Sequence, residues 1–239
     1  MPRSAVIGRG FALFLGLSTL AACEPAQPTA SSDATPITTG STDRALPQGK
    51  GFDFYVLSLS WSPSYCQAEG ASANRQQCGR RDPLGFVVHG LWPQFKDGYP
   101  EFCPSRESDR VPDSLVKQYR DLLPSAGLIG HQWRKHGTCS GLSQSDYFAL
   151  TRSARERVTI PAAMAVGTEP VSPAAVEQSF MAANPGLRAE DMAVSCDDGL
   201  IREVRICLSR DTLEFRSCPQ VDARGCTRAA SMPQPTSSQ

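Results

Sequence analysis

The sequence predicts an α+β domain, an antiparallel β-sheet packed with several helices and stapled by disulfides. Two patterns and one count predict it. Segments with helical spacing fill the middle of the chain, while short strand-like runs sit at both ends of the domain. The chain also carries nine cysteines, eight of them within its body, behind a start that reads as an export signal. Exported chains with even cysteine sets pair them.

Taken in order, residues 52–59 (FDFYVLSL) alternate and carry Phe, Tyr and Val, which predicts a strand. Residues 85–89 (GFVVH) predict a buried strand ending at His89. Residues 112–123 have helical spacing at Leu115, Tyr119 and Leu122, and Pro124 stops them. A second helix is expected from about 128 to 136, with Gly137 just past its end. Residues 144–157 and 173–183 also read as helices, the latter with Ser172 and Pro173 in the favoured cap and first-turn positions. The last part turns to strands at 191–196, 200–208 and 212–217, with Asp198-Gly199 as a hairpin turn between the first two. There is no internal repeat and no Gly-rich phosphate loop.

The flanks have a different composition. Arg3 and Arg9 followed by the apolar run 11–20 read as a signal peptide over residues 1–22, too short to remain as a membrane span. The junction Leu20-Ala21-Ala22-Cys23 resembles a bacterial lipobox, which makes Cys23 a lipidation site; plain cleavage after Ala22 is the alternative. Residues 23–50 are rich in Pro, Ser, Thr and Ala and form a disordered tether with a reach of roughly 30 Å. Residues 51–228 form one domain, and residues 229–239 read as a disordered tail. The chain is thus expected to be exported, to the periplasm or outer membrane as a lipoprotein, or on to the cell surface or medium. Its only membrane contact would be the anchor. The 24 basic side chains less Arg3 and Arg9 leave 22 against 24 acidic ones. That balance argues against strong non-specific binding to nucleic acid, so any polyanionic partner must meet a local basic patch.

The chain has three histidines, and they fall in two segments, Phe86–Gln94 and Leu128–Cys139. On a helical wheel with His131 at zero, Lys135 lies near 40°, Gln132 near 100° and His136 near 140°, about 100° per residue. These four polar groups share one arc, and Trp133 and Arg134 point elsewhere. Such a face can bind an anion and transfer protons. Zinc is the natural rival for a His/Cys group, but His131 and His136 are five apart and Lys135 stands between them, an ammonium that repels a dication. No metal or cofactor is expected.

The run Phe86-Val87-Val88-His89-Gly90-Leu91-Trp92-Pro93 resembles the first catalytic motif of the ribonuclease T2 family. Residues 128–139, LIGHQWRKHGTC, resemble the second. The similarity extends over most of 51–228, including Phe52-Asp53-Phe54-Tyr55 and Trp61-Ser62-Pro63-Ser64-Tyr65-Cys66. The resemblance implies an endoribonuclease that cleaves single-stranded RNA to 2′,3′-cyclic phosphate ends without metal. It implies His136 as general base, His89 as general acid, Lys135 as the cation at the phosphorus and His131 as an accessory phosphate ligand. These roles make chemical sense. Using the ribose 2′-hydroxyl makes attack intramolecular and restricts cleavage to RNA, and histidine suits acid and base work near neutral pH.

The family commonly has glutamate where this sequence has Gln132, so activity is expected to persist with a changed pH profile. By resemblance Trp92, Gln94 and Tyr99 meet the base, with core packing the alternative for Trp92 and Tyr99. Gln94 replaces an aspartate of some fungal members and Ser60 a glutamine of many plant ones, so base preference does not carry over. The resemblance also pairs Cys103 with Cys139, Cys196 with Cys226 and Cys207 with Cys218, leaving Cys66 with Cys78. RNA is the expected partner and the protein is expected to be a monomer. The alternative is a lipid-anchored RNA- or protein-binding module that keeps the fold without turnover.

Overall fold

The computed structural model describes residues 46–164 and 168–236. The signal peptide, Cys23 and the tether to residue 45 lie outside the described residues. Six strands and seven helices occur among the described residues. The strands are β1 (Phe54–Trp61), β2 (Phe86–Gln94), β3 (Thr168–Val171), β4 (Met192–Asp197), β5 (Leu200–Ser209) and β6 (Ala230–Met232). The helices are α1 (Ser62–Glu69), α2 (Arg75–Cys78), α3 (Asp113–Tyr119), α4 (Ala126–Lys135), α5 (Gln144–Glu156), α6 (Pro173–Ala183) and α7 (Pro219–Asp222).

β1 lies between β2 and β5, antiparallel to both, and β4 pairs antiparallel along the other side of β5. β6 meets β5 in parallel at Leu200 and Ser231 and carries β3 antiparallel on its far side. The β4–β5 hairpin closes with Asp197 opposite Leu200, and Asp198 and Gly199 at its tip both take positive φ, 48° and 72°. A two-residue Asp-Gly loop of this kind matches the strand twist.

The alternation of β1 divides the domain into two faces. Tyr55, Leu57, Leu59 and Trp61 enter the main core with Val88, Leu91, Ile129, Trp133, Tyr147, Phe148, Val204 and Ile206. Phe54 and Val56 point the other way, into a small cluster with Cys207, Cys218 and Val221, against which Trp92 packs. Further along that second face come Ser58 and Ser60, whose small side chains leave room above the sheet. Four disulfides join Cys66–Cys78, Cys103–Cys139, Cys196–Cys226 and Cys207–Cys218.

Five segments differ from the sequence expectation. The strand expected to end at His89 runs on to Gln94 as β2. Residues 212–217 form no strand: Ser209 N donates to Glu214 O, Leu213 takes φ 58°, and one bridge joins Leu208 to Phe215. A tight reversal fills the length a strand would need. The helix expected to 123 ends at Tyr119, after which Leu122 O accepts from Val88 N and ties this turn to β2. Residues 229–236 are docked rather than loose. Met232 is fully buried, and Pro233 O accepts the Trp61 indole N–H at 2.8 Å. Likewise residues 46–50 are docked: Leu46 packs on the core and Lys50 N donates to Ser140 O. In both flanks, one or two apolar side chains and hydrogen bonds to the backbone outweigh a composition that reads as loose.

Candidate active site

His89 owes its position to a bulge in β2. Ser58 on β1 pairs with Gly90 and its neighbour Leu59 with Val88, so His89 is the extra residue between two registered pairs. The slip shifts the phase of the strand. Val88 and Leu91 both reach the main core although they are three apart, and His89 and Trp92, likewise three apart, both line one cavity on the opposite face. A regular strand would have sent one of them into the core.

The facing wall is α4. Ser125 caps it by accepting from Leu128 N at 3.1 Å, and Ile129 and Trp133 anchor it in the core. The Trp133 indole donates to Ser108 O at 2.8 Å. His131, Gln132, Lys135 and His136 then fall on the side towards β2 and line the cavity. His136 terminates the helix at φ −121°, with its N–H bonded to Gln132 O at 3.0 Å. The chain leaves at once through Gly137, where a Cβ would come within 2.3 Å of the Trp133 ring. Glycine is required there by close approach.

Trp92 links the two walls. Its ring meets His89 edge-on at 5.3 Å and stacks on His136 at 5.2 Å with 28° between planes. Its Nε1–H donates to Gln132 Oε1 at 2.8 Å, which holds the buried amide against Gly90. His136 is 6% exposed, and burial, then Lys135, His89 and His131, push its pKa down to about 3. Its Nδ1 is buried with no hydrogen-bond partner among the described residues. His131 is exposed at the rim, and partial burial and Lys135 lower its pKa too. Lys135 Nζ stands 3.4 Å from the exposed Glu101 carboxylate.

All eight of the non-cysteine residues singled out in the sequence line this one cavity of about 320 Å³: His89, Trp92, Gln94, Tyr99, His131, Gln132, Lys135 and His136. Gln94 is buried and donates to Pro93 O, and Tyr99 is 44% exposed at the opening. Val56, Val221 and Arg224 complete the wall near them. Besides these three, two more residues in the cavity wall were not anticipated. Glu203 on β5 hydrogen-bonds His89 Nδ1, and Arg205 bonds Glu203 through Nε at 2.9 Å and Nη2 at 2.8 Å while lying over the Trp92 ring at 5.4 Å. Burial would raise the Glu203 carboxyl, but His89 and Arg205 hold it down at about 2. Among the described residues, no three His, Cys, Asp or Glu side chains cluster so as to hold a metal ion.

The ribonuclease T2 family model matches residues 52–218, which span both walls of this cavity. The chain belongs to the ribonuclease T2 family. A ribonuclease of Aeromonas hydrophila is 37% identical over 183 residues, covering 72% of this chain and 80% of its own. Ribonuclease DdI of Dictyostelium discoideum is 27% identical over 202 residues, covering 76% and 85%. Among solved structures, RNase NT in complex with 5′-AMP superposes with a TM-score of 0.61 at 24% identity, over 77% of this chain and 100% of that one. Trichomaglin, described as an S-like ribonuclease, superposes at 0.62 and 23% identity, over 78% and 100%. These likenesses identify the fold, and the family match and curated relatives identify an endoribonuclease of the T2 type.

Proposed function

We propose that this T2 ribonuclease cuts single-stranded RNA by metal-independent transphosphorylation, with His136 as general base and His89 as general acid. His136 takes the proton from a ribose 2′-hydroxyl, the 2′-oxygen attacks the adjacent phosphorus, and the P–O5′ bond breaks. His89 gives its Nε2 proton to the departing 5′-oxygen. The products are a 2′,3′-cyclic phosphate and a 5′-hydroxyl. Lys135 stabilises the charge on the phosphoryl oxygens, His131 holds a neighbouring phosphate, and the Gln132 amide donates to a phosphate oxygen. Trp92, Gln94 and Tyr99 receive the base, where stacking tolerates every base.

One observation carries the reading. Two imidazoles flank one indole in one cavity, and their surroundings differ in kind. His136 is desolvated beside cations and is therefore neutral at pH 7, as a base must be. His89 is tied through Nδ1 to a carboxylate, which leaves Nε2 to meet the leaving oxygen.

Digestion of RNA in excess EDTA tests this. Undiminished cleavage with 2′,3′-cyclic phosphate ends is expected; loss of cleavage on chelation would overturn the metal-free mechanism. We extend the proposal to the cell: a monomer anchored by lipid on Cys23, exported to an oxidising compartment in which its four disulfides persist. Incorporation of labelled fatty acid, abolished by Cys23→Ser, is expected.

A further inference from the structure

We infer that Glu203 is a positioning residue for the acid step: its carboxylate holds His89 with Nδ1 as the inward N–H and Nε2 turned to the leaving group, and Arg205 holds Glu203. This inference rests on the reading of His89 as general acid.

The geometry comes from the sheet. Glu203 registers opposite Ser60 of β1, and Arg205 opposite Ser58, which in turn pairs with Gly90 of β2. Residues 203 and 205 therefore share a face, one strand removed from the bulge that carries His89. Large side chains on β1 would separate them. Serines at 58 and 60 do not, so a glutamate from β5 spans the intervening strand and reaches the imidazole. One carboxylate oxygen takes His89 Nδ1 and the other takes the Arg205 guanidinium, so both ends of the carboxylate are engaged. Arg205 is fixed in turn by lying over Trp92, the ring that touches both imidazoles.

Burying a carboxylate is costly unless charged partners compensate it. Glu203 is 8% exposed and has two such partners, one of which is the His89 ring. The consequence for chemistry is specific. An imidazole anchored at Nδ1 can neither flip nor exchange tautomer freely, so its Nε2–H stays directed at one place. When that proton passes to the 5′-oxygen, the ring is left neutral with its Nδ1–H still bound to Glu203. The carboxylate remains ionised throughout and touches neither phosphorus nor sugar.

The test compares leaving groups. A dinucleotide with a bridging 5′-sulfur needs little help from an acid, because a thiolate leaves unprotonated. Against the ordinary 5′-oxygen substrate, Glu203→Gln should lower kcat roughly 10- to 100-fold with KM within about twofold, less than the ~10²–10⁴ lost on removing an acid outright. On the 5′-sulfur substrate most of that loss should vanish, as it should for His89→Ala. Equal loss on both substrates would make Glu203 merely structural, and no loss on either would make it idle; each overturns the inference. Glu203→Asp retains the charge but withdraws it from Nδ1. It should show the same sulfur-selective loss, and it decides the matter if the glutamine variant does not fold. His89→Ala separates the two claims. If sulfur fails to rescue it, the acid assignment falls and the inference with it. If sulfur rescues His89→Ala but neither Glu203 variant, the Glu203 inference alone falls.

Discussion

Gly90→Ala probes the junction of the two walls with a single methyl group. A Cβ at residue 90 would stand 2.0 Å from Gln132 Oε1, 2.7 Å from Gln132 Cδ and 2.5 Å from Trp92 Nε1. Gln132 is 1% exposed and its amide is pinned by Trp92, so the side chain cannot swing aside without breaking that 2.8 Å bond. Loss of the hydrogen bond costs about 1 kcal/mol, and forcing a methyl group into a packed interior costs about 1–3 more. A destabilisation of about 2–4 kcal/mol follows, read as a lower midpoint in urea with the disulfides intact. Activity should suffer beyond stability, because Trp92 touches both imidazoles. A displacement of about 1 Å at such a site lowers rate by up to ~10²-fold. Steady-state cleavage of a dinucleotide, under conditions where the variant is fully folded, reads this directly. A variant within 0.5 kcal/mol of the native protein and equally active would refute the reasoning, since about 2 kcal/mol is its lower bound.

Three further outcomes follow from the same geometry. Gln132→Glu places a carboxylate beside His136, which favours the imidazolium, so the acid limb of kcat/KM should move to higher pH; superimposable pH–rate curves would contradict this. His131→Ala, at the exposed rim, should raise KM by roughly 3- to 10-fold at unchanged kcat, the signature of a lost ground-state contact worth about 1 kcal/mol. Acid should destabilise the fold through two groups. His136 titrates at about 3 when folded and near its ordinary 6.5 when unfolded. The unfolded chain therefore binds the extra proton between these values, and stability falls as pH drops through that window, by about 2 kcal/mol between pH 8 and pH 5. Glu203, held at about 2, contributes stability above its ordinary value of 4.5 that is lost as pH falls towards 2. Urea unfolding of the native protein and His136→Asn at pH 8 and pH 5 should show the smaller fall in the variant.

What could be read from the sequence was local. The arc of His131, Gln132 and Lys135 depends only on helix geometry, and α4 presents it as that geometry requires, with His136 following at its C-terminal cap. The Asp198-Gly199 turn likewise depends on two adjacent residues. What could not be read was relational. Glu203 and Arg205 sit in a strand run, LIREVRICLS, in which nothing local marks two charged side chains as part of a site. Their role emerges from register, because only the pairing of Ser60 with Glu203 and the bulge at His89 bring them to the imidazole. Gly90 followed by Leu91 and Trp92 carried a faint signal of the bulge, since the apolar phase of the strand slips there. The strand β6 carries no signal in the sequence, because three residues, Ala-Ser-Met, have no period, and their burial is set by β3, β5 and Trp61.

The most direct measurement is the cleavage of a DNA oligonucleotide containing one ribonucleotide, in excess EDTA, by the native enzyme, His136→Ala and His89→Ala. The native enzyme should cut once, after the ribonucleotide, and leave a 2′,3′-cyclic phosphate, while each variant slows by ~10²–10⁴-fold. Cutting at a deoxynucleotide, or a variant that keeps the native rate, would contradict the two-histidine mechanism.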